Sequence, residues 1–332
     1  MSREIFQPEE NPQHELHEHQ VLPQIGNPSE EDAYVCEEKE VVRLPSYEDI
    51  RSKNNTELDD YIDCFRIEEI TRDKTEAERA KVNILRKEAQ LSPEELASSK
   101  ERKKIATMLE DITVTLGNNP AWIPNARFIR ASEYDDLCKG TDLIIDIKQP
   151  KTGRPIIIAV DVTTGRNEVS KKLHTIVSPG DMIFNQPSLK YHPGLKYMQE
   201  QREKGEEVKP VAIAKLVLGA SADVVKETHM AMRSAANANE RMSARNVNRL
   251  KFVILEGGLA QARGLQQHAL AINQVQTAKI YGHIADVFQK ALEVHDHIFG
   301  AFPEEFRERS DPVLDEIKTI ESSRYVPMKI AK

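Results

Sequence analysis

The spacing of apolar positions changes several times along this chain, and each change marks an element. Ile105, Met108, Leu109, Ile112 and Leu116 form an i, i+3, i+4, i+7, i+11 stripe, which predicts an amphipathic helix over about Glu101 to Leu116. Gly117-Asn118-Asn119-Pro120 ends it. Upstream, SPEEL (Ser92 to Leu96) reads as a helix start, with Ser92 as N-cap and Pro93 at the first helical position. Ala126 to Arg130 reads as a short strand. Two apolar strand runs follow, Asp142 to Lys148 and Pro155 to Thr163, joined by QPKTGR, whose Pro, Lys and Gly supply hairpin-loop chemistry. A helix capped by Asn167 then runs through Val177, with Val169, Leu173, Ile176 and Val177 on one face. Val211 to Leu218 reads as a strand, Ser221 to Asn237 as a helix and Phe252 to Leu255 as a last short strand. Gln261 to Phe299 reads as one or two helices, closed by Gly300 and Pro303. The order helix, strand, strand, strand, helix, strand predicts an α/β or α+β domain of about 200 residues around a β-sheet.

The hairpin carries the chemistry. Centring its loop between Lys151 and Thr152 sets Lys148 opposite Pro155, Asp146 opposite Ile157 and Asp142 opposite Asp161. Directly opposed residues on one face of an antiparallel pair have Cβ atoms about 5 Å apart, so two carboxylates there repel unless something lies between them. A divalent cation would remove that cost, which makes Asp142 and Asp161 candidate metal ligands. A register slipped by one or two residues would instead turn one acid to water. Asp161 argues for the first register. It interrupts Ile156-Ile157-Ile158-Ala159-Val160, a run apolar on both faces and hence central in a sheet, where a charge needs a partner.

Composition divides the chain. It has 332 residues and a formal net charge of −8, but residues 1–65 hold 17 Asp and Glu against 5 Lys and Arg, while the rest carries 41 basic and 37 acidic side chains. Residues 1–65, rich in Pro, Gln, Glu, Asn and His, read as a disordered or loosely docked acidic segment that could mask a basic surface of the remainder. Its His14, His17 and His19 lack a rigid element to hold them as metal ligands. Residues 66–99 read as a charged helical arm, 100–260 as the α/β core and 261–332 as a C-terminal helical extension able to contact a protein partner or a second copy. No apolar run reaches the about 18 residues of a membrane span, and MSREIFQPEE is not a signal peptide. Cys36, Cys64 and Cys138 show no paired spacing, which suits a reducing cytoplasm and argues against a disulfide framework or a zinc knuckle.

These residues resemble the PD-(D/E)XK nuclease superfamily over roughly residues 100–220. Gly140-Thr141-Asp142 places an acid at the head of the second strand, and Asp161-Val162-Thr163 stands at the (D/E)-X-K position. More narrowly, SEYDD, GTD and DVT in this spacing are similar to the same strings in proteins of small-genome bacteria. The resemblance implies an αβββαβ, restriction-endonuclease-like core and Mg²⁺ or Mn²⁺ held by Asp142 and Asp161. It also brings in the acids of Glu133-Tyr134-Asp135-Asp136, with Glu133 or Asp136 as a further ligand or water-orienting base. Thr163 stands where the family has its lysine, and a hydroxyl brings no positive charge. Some branches carry this lysine on the following helix, where Lys172 borders the Val169/Leu173/Ile176 face and Lys171 points away. The first helix in this fold sometimes adds a glutamate; Glu101 lies on the Ile105 stripe and Glu110 on the opposite side.

Other constellations are weaker. Gly257-Gly258, after a short strand, could cradle a phosphate or simply turn. His295 and His297 lack a third ligand. Tyr134 could stack on a base or pack. Met232 to Arg249, with four arginines, four asparagines and one acid, could contact phosphates. Three function classes follow: a metal-dependent phosphodiesterase on DNA or RNA, with Lys172 stabilising charge; a nuclease-fold protein without cleavage that binds nucleic acid or protein; and an interaction protein built on its C-terminal helices and acidic arm. A lysine ammonium within reach of Asp142 and Asp161 would separate the first from the others.

Overall fold

A computed structural model gives the architecture of residues 67–118, 122–148, 155–176, 212–234, 240–301 and 306–324. The acidic segment 1–65 lies outside these residues, and so does the hairpin loop itself. The elements are α1 (Ile67–Glu88), α2 (Pro93–Asn118), β1 (Ala126–Arg130), α3 (Glu133–Lys139), β2 (Leu143–Ile147), β3 (Ile156–Thr163), α4 (Arg166–Ile176), β4 (Ala212–Gly219), α5 (Ala222–Ser234), α6 (Glu240–Ala271), α7 (Val275–Val294), α8 (Asp296–Ala301) and α9 (Pro312–Arg324).

The four strands form one mixed sheet in the order β1-β2-β3-β4, antiparallel up to β3 and parallel between β3 and β4. Asp146 pairs with Ile157 and Leu143 with Val160, the register expected from the loop. All eight residues of β3 are buried, as a strand in the middle of a sheet requires. One face of the sheet, with Leu143, Ile145, Ile158, Val160, Leu216 and Leu218, joins a large core built with α2, α4 and the C-terminal helices. The other face carries a small cluster, Ile129, Ala131, Ile144, Ile157 and Ala159. By alternation along the strands, Asp142 and Asp161 belong to that second face.

Helix α2 begins with a capping box. The Ser92 hydroxyl accepts from the Glu95 backbone N–H at 3.3 Å, and Glu95 accepts from the Ser92 N–H at 2.9 Å. The SPEEL start and the Ile105 stripe are thus one helix. Its end is tied to the sheet by Asn118, whose amide accepts from the Phe128 N–H at 2.9 Å and donates to the Phe128 carbonyl at 2.7 Å. This closes the free edge of β1. The free edge of β4 is closed in the same way: Gln261 of α6 accepts from the Val217 N–H at 2.7 Å and donates to its carbonyl at 2.6 Å. Next to it, the buried Tyr281 hydroxyl of α7 donates to the Lys215 carbonyl at 3.1 Å.

Three expectations need correction. Phe252 to Leu255 is not a strand but part of the 32-residue α6; a short apolar run has the same composition in a buried helix as in a strand. Gly257-Gly258 is neither turn nor cradle. It sits inside α6, where a Cβ on Gly258 would stand 2.3 Å from the Phe288 ring of α7, so the glycine permits close helix packing. The divisions at 99/100 and 260/261 fall inside α2 and α6, and the main apolar cluster runs without a break from Ile105 to Ile317.

Replacing Gln261 by Leu leaves the Val217 N–H and C=O buried without partners. Gln261→Leu is expected to lower stability by about 2–4 kcal/mol in urea unfolding; a change under about 0.5 kcal/mol would show that the edge does not depend on this amide.

Candidate functional site

Asp142 lies one residue before β2 but keeps its register, donating its N–H to the Val160 carbonyl at 2.8 Å. Continued by one step, the Leu143–Val160 pairing sets it opposite Asp161. Its Oδ2 accepts from the Val162 N–H at 2.5 Å. Asp161 is 8% exposed. Lys172 of α4 donates to Asp161 Oδ1 and to the Val162 carbonyl. The opposed carboxylates and the lysine of the following helix therefore meet, while Lys171 is exposed. Burial works against the Lys172 ammonium, but Asp161 and Asp142 outweigh it and hold its pKa above the usual lysine value.

Two further elements reach this centre. Helix α3 is capped by Ser132, whose hydroxyl accepts from the Asp135 N–H at 3.0 Å, and ends at Gly140 in the left-handed region with φ 61°. It brings Asp136 towards Asp142 and Asp161, and neighbouring carboxyl groups titrate together. Crowding by protein pushes the Asp136 carboxyl up, with Arg130 opposing. From α2, Glu110 accepts from Arg130 at 2.9 Å, while the neighbouring Asp111 accepts from the other guanidinium nitrogen at 2.8 Å. Burial raises the Glu110 carboxyl to about 7; Arg130 opposes this, and Asp136 and Asp111 add to it. The Asp142 carboxyl is pushed well above the carboxylate range, first by burial and then by Asp161.

Lys215 of β4, opposite Ala159 in the register, completes the group. It is 8% exposed and donates to the Lys139 carbonyl at 3.4 Å. Burial lowers its pKa, more than Asp161 and Asp142 raise it. Glu110, Asp111, Asp136, Asp142 and Asp161 thus face three cations, Arg130, Lys172 and Lys215. Fully ionised, the five carboxylates outnumber these cations, even with Lys103 as a further positive charge towards Asp136. Protons or a divalent cation can supply the balance. Asp142 and Asp161 are the pair that could hold the cation, although among the described residues no three His, Cys, Asp or Glu side chains form a ready cage.

Several candidates lie elsewhere. Glu133 is turned outward to an ion pair with Lys81 of α1 and is more than half exposed, so it is no ligand of the pair. Asp135 is buried in the cap of its own helix, accepting from the Ser132 hydroxyl at 2.8 Å. The Thr163 hydroxyl is engaged by the backbone of Gly165, accepting from its N–H at 3.3 Å, so it shapes the turn into α4 and supplies no charge. Tyr134 packs, donating to Glu76 at 3.3 Å beneath the Lys139 ammonium. Glu101 pairs with Lys226 at 3.2 Å; the glutamate that α2 contributes is Glu110. The last turns of α2 are buried on most sides, so the arc facing the sheet is wider than the apolar stripe. His295 is buried against Phe299, with its pKa pushed down to about 4 by burial, and His297 is exposed. In the basic stretch Arg249 is buried on Glu227 at 3.3 Å, and residues 235–239 lie outside the described residues.

Compared with protein-family models, with curated proteins and with solved structures, the chain matches none.

Two stability predictions follow from the charges. A carboxyl raised on folding favours the folded state while protonated, so this stabilisation is full below the unfolded pKa and is lost as pH rises through the folded one. For Glu110 that window runs from about 4.5 to about 7. Metal-free protein is expected to lose stability across it, and Glu110→Gln to flatten the fall; urea midpoints in chelator between pH 4.5 and 8 check this, and parallel slopes would give Glu110 an ordinary pKa. Asp142→Asn removes a repelled acid and is expected to raise metal-free stability or leave it unchanged. Asp161→Asn strands the Lys172 ammonium and is expected to cost about 1–3 kcal/mol. The reverse ranking in thermal melts would mean that Asp161 gains nothing from its lysine.

Proposed function

We propose that this chain is a divalent-metal-dependent phosphodiesterase acting on DNA or RNA, with a restriction-endonuclease-like core. The reading rests on one observation above all: the Lys172 ammonium sits on the second acid of an opposed carboxylate pair. That charge fills the place left by Thr163. The order α2, β1, β2, β3, α4, β4, with the fourth strand parallel to the third, supports the same core, and α3 is an addition between its first two strands.

Mg²⁺ or Mn²⁺ held by Asp142 and Asp161 would polarise a phosphoryl oxygen and lower the pKa of bound water. Such ions keep several waters and need only one or two carboxylates, so the pair is a sufficient protein contribution. Lys172 is kept charged by the two acids and stands ready to stabilise the negative charge that develops on the phosphoryl oxygens. Glu110, with a pKa of about 7, suits the acceptor of a proton from the attacking water at neutral pH. Asp136, its carboxyl raised by burial, adds a further acid beside Asp142. No helix among the described residues is long and apolar enough to cross a membrane, and we place the activity in the cytoplasm, where the three cysteines stay reduced.

The test is a cleavage panel over single-stranded, duplex and branched DNA and RNA with Mg²⁺ or Mn²⁺. Activity is expected to be lost in Asp142→Ala and to fall about 10²–10³-fold in Lys172→Ala. Millimolar Mn²⁺ should raise the melting temperature of the wild type and of Lys172→Ala but not of Asp161→Asn, because binding to the folded state stabilises it by mass action. Nucleic-acid binding without cleavage of any substrate would make the chain a nuclease-fold binding module instead. An unchanged melting curve on adding Mn²⁺ would remove the metal from the site.

A further inference from the structure

Lys215 has no place in the chemistry just described, and its setting is unusual for a lysine. It stands on β4, a strand whose neighbours are almost all buried and apolar. Its main chain is fixed from outside by Tyr281, whose hydroxyl donates to the Lys215 carbonyl at 3.1 Å and accepts from its N–H at 3.4 Å. Gln261 fixes Val217 two residues on. On the sheet face, the residue opposite Lys215 is Ala159, small enough to let the alkyl stem lie across the strand towards Asp161. The ammonium reaches the Lys139 carbonyl at the end of α3, a single long hydrogen bond of 3.4 Å. Among the described residues no carboxylate lies within ion-pair distance of it, whereas Lys172 has both Asp161 and a carbonyl. A buried ammonium with one weak acceptor is costly to keep.

What lies in front of it is Gly140. A Cβ there would stand 3.8 Å from Lys215 Nζ and 3.9 Å from Asp161 Oδ2, so the two groups flank the same point. Gly140 is exposed, and Lys172 occupies the other oxygen of Asp161. The remaining carboxylate oxygen and the under-satisfied ammonium therefore lie beside the same exposed glycine. An anion bridging to a cation on Asp161 would meet Lys215 there.

We propose that Lys215 is a second substrate-contacting cation of this site, its ammonium binding a phosphate oxygen of the nucleic acid that enters over Gly140 beside Asp161. The assignment rests on the phosphodiesterase reading for its substrate. It divides the two lysines by role: Lys172 is committed to Asp161 and the end of β3, and Lys215 is the one left for the ligand. Its lowered pKa has the same origin, burial without a close counter-charge, and an arriving phosphate would supply that counter-charge.

The test uses the full chain, Mn²⁺ and a fluorescein-labelled single-stranded DNA dodecamer with its RNA counterpart. Anisotropy gives binding, single-turnover cleavage gives rate, and the Mn²⁺-dependent melting shift gives metal occupancy. Lys215→Met keeps the stem and removes the charge. It is expected to keep the Mn²⁺ shift, weaken oligonucleotide binding at least about tenfold and slow cleavage, with partial recovery in Lys215→Arg; Lys171→Met, on an exposed lysine, should change neither. Wild-type binding and cleavage in Lys215→Met would overturn the proposal and leave the phosphodiesterase reading standing. Lys215-dependent binding with no cleavage by the wild type would do the reverse. A wild type that neither binds nor cleaves would end both. If Lys215→Met does not fold, reductive methylation of wild type decides: saturating dodecamer should slow labelling of Lys215 and not of exposed Lys148, and equal labelling with and without it would overturn the assignment.

Discussion

A carboxylate at the end of a strand buried on both faces has to be matched by charge, and Asp161 imposes that constraint on everything around it. Its immediate match is Lys172. Between the two acids sits one peptide unit after another of β3: the Val162 N–H goes to Asp142, and the Val162 carbonyl goes to Lys172. The first turns of α4 are thus fixed to the strand they follow by charge as well as by Val169 and Leu173. A second acid opposite the first would be unfavourable in an ordinary sheet. Here it is retained with Asp136 and Glu110 beside it, and the cluster ends with more carboxyl groups than cations. Burial raises the carboxyls of Glu110, Asp136 and Asp142, so protons can make up the difference.

The sheet that carries these groups is held at its two edges by side chains rather than by further strands. Asn118 satisfies Phe128 on β1, and Gln261 with Tyr281 satisfies Val217 and Lys215 on β4. Unpaired edge groups invite other strands, and covering them removes that route. The same contacts fix the flanking helices to the sheet. Through Tyr281 they also fix the backbone of Lys215, so α7 meets the site at β4.

How much of this could be read from sequence depends on the range of each signal. The hairpin register was legible because it follows from loop length and a period of two, both local. Lys172 was legible because a helical wheel places it beside an apolar stripe four residues long. Glu110 was not: it lies off the Ile105 stripe and is turned inward by Arg130 of β1, a partner 20 residues away. Lys215 sits in VAIAKLVL, where a lysine in an apolar strand gives no hint of which neighbour it faces until β3 and β4 are paired in parallel. Phe252 to Leu255 misled because four apolar residues fit either a strand or a buried helix, and only the packing of α6 against Phe288 and Phe299 decides. Helix α3 escaped because seven residues are too few to show a helical period, although Ser132 and Gly140 mark its two caps.

The four residues Glu133-Tyr134-Asp135-Asp136 show why an acidic run is a poor guide by itself. A helix sends consecutive side chains about 100° apart, so four neighbours in one turn face four directions. Glu133 and Tyr134 face α1 and meet Lys81 and Glu76. Asp135 turns back into the cap on Ser132, and only Asp136 reaches Asp142. The run nonetheless acts as a unit. Asp73 and Ala77 of α1 are buried, and α1 meets the outer face of the helix whose inner face supplies Asp136, so the position of that carboxyl depends on how α1 packs. Gly140 then ends α3 in a conformation open to glycine and costly to most other residues, turning the chain directly into Asp142. The contacts that α3 makes on its two sides therefore set where Asp136 stands relative to the opposed acids, and with it how strongly Asp161 adds to the rise of the Asp136 carboxyl.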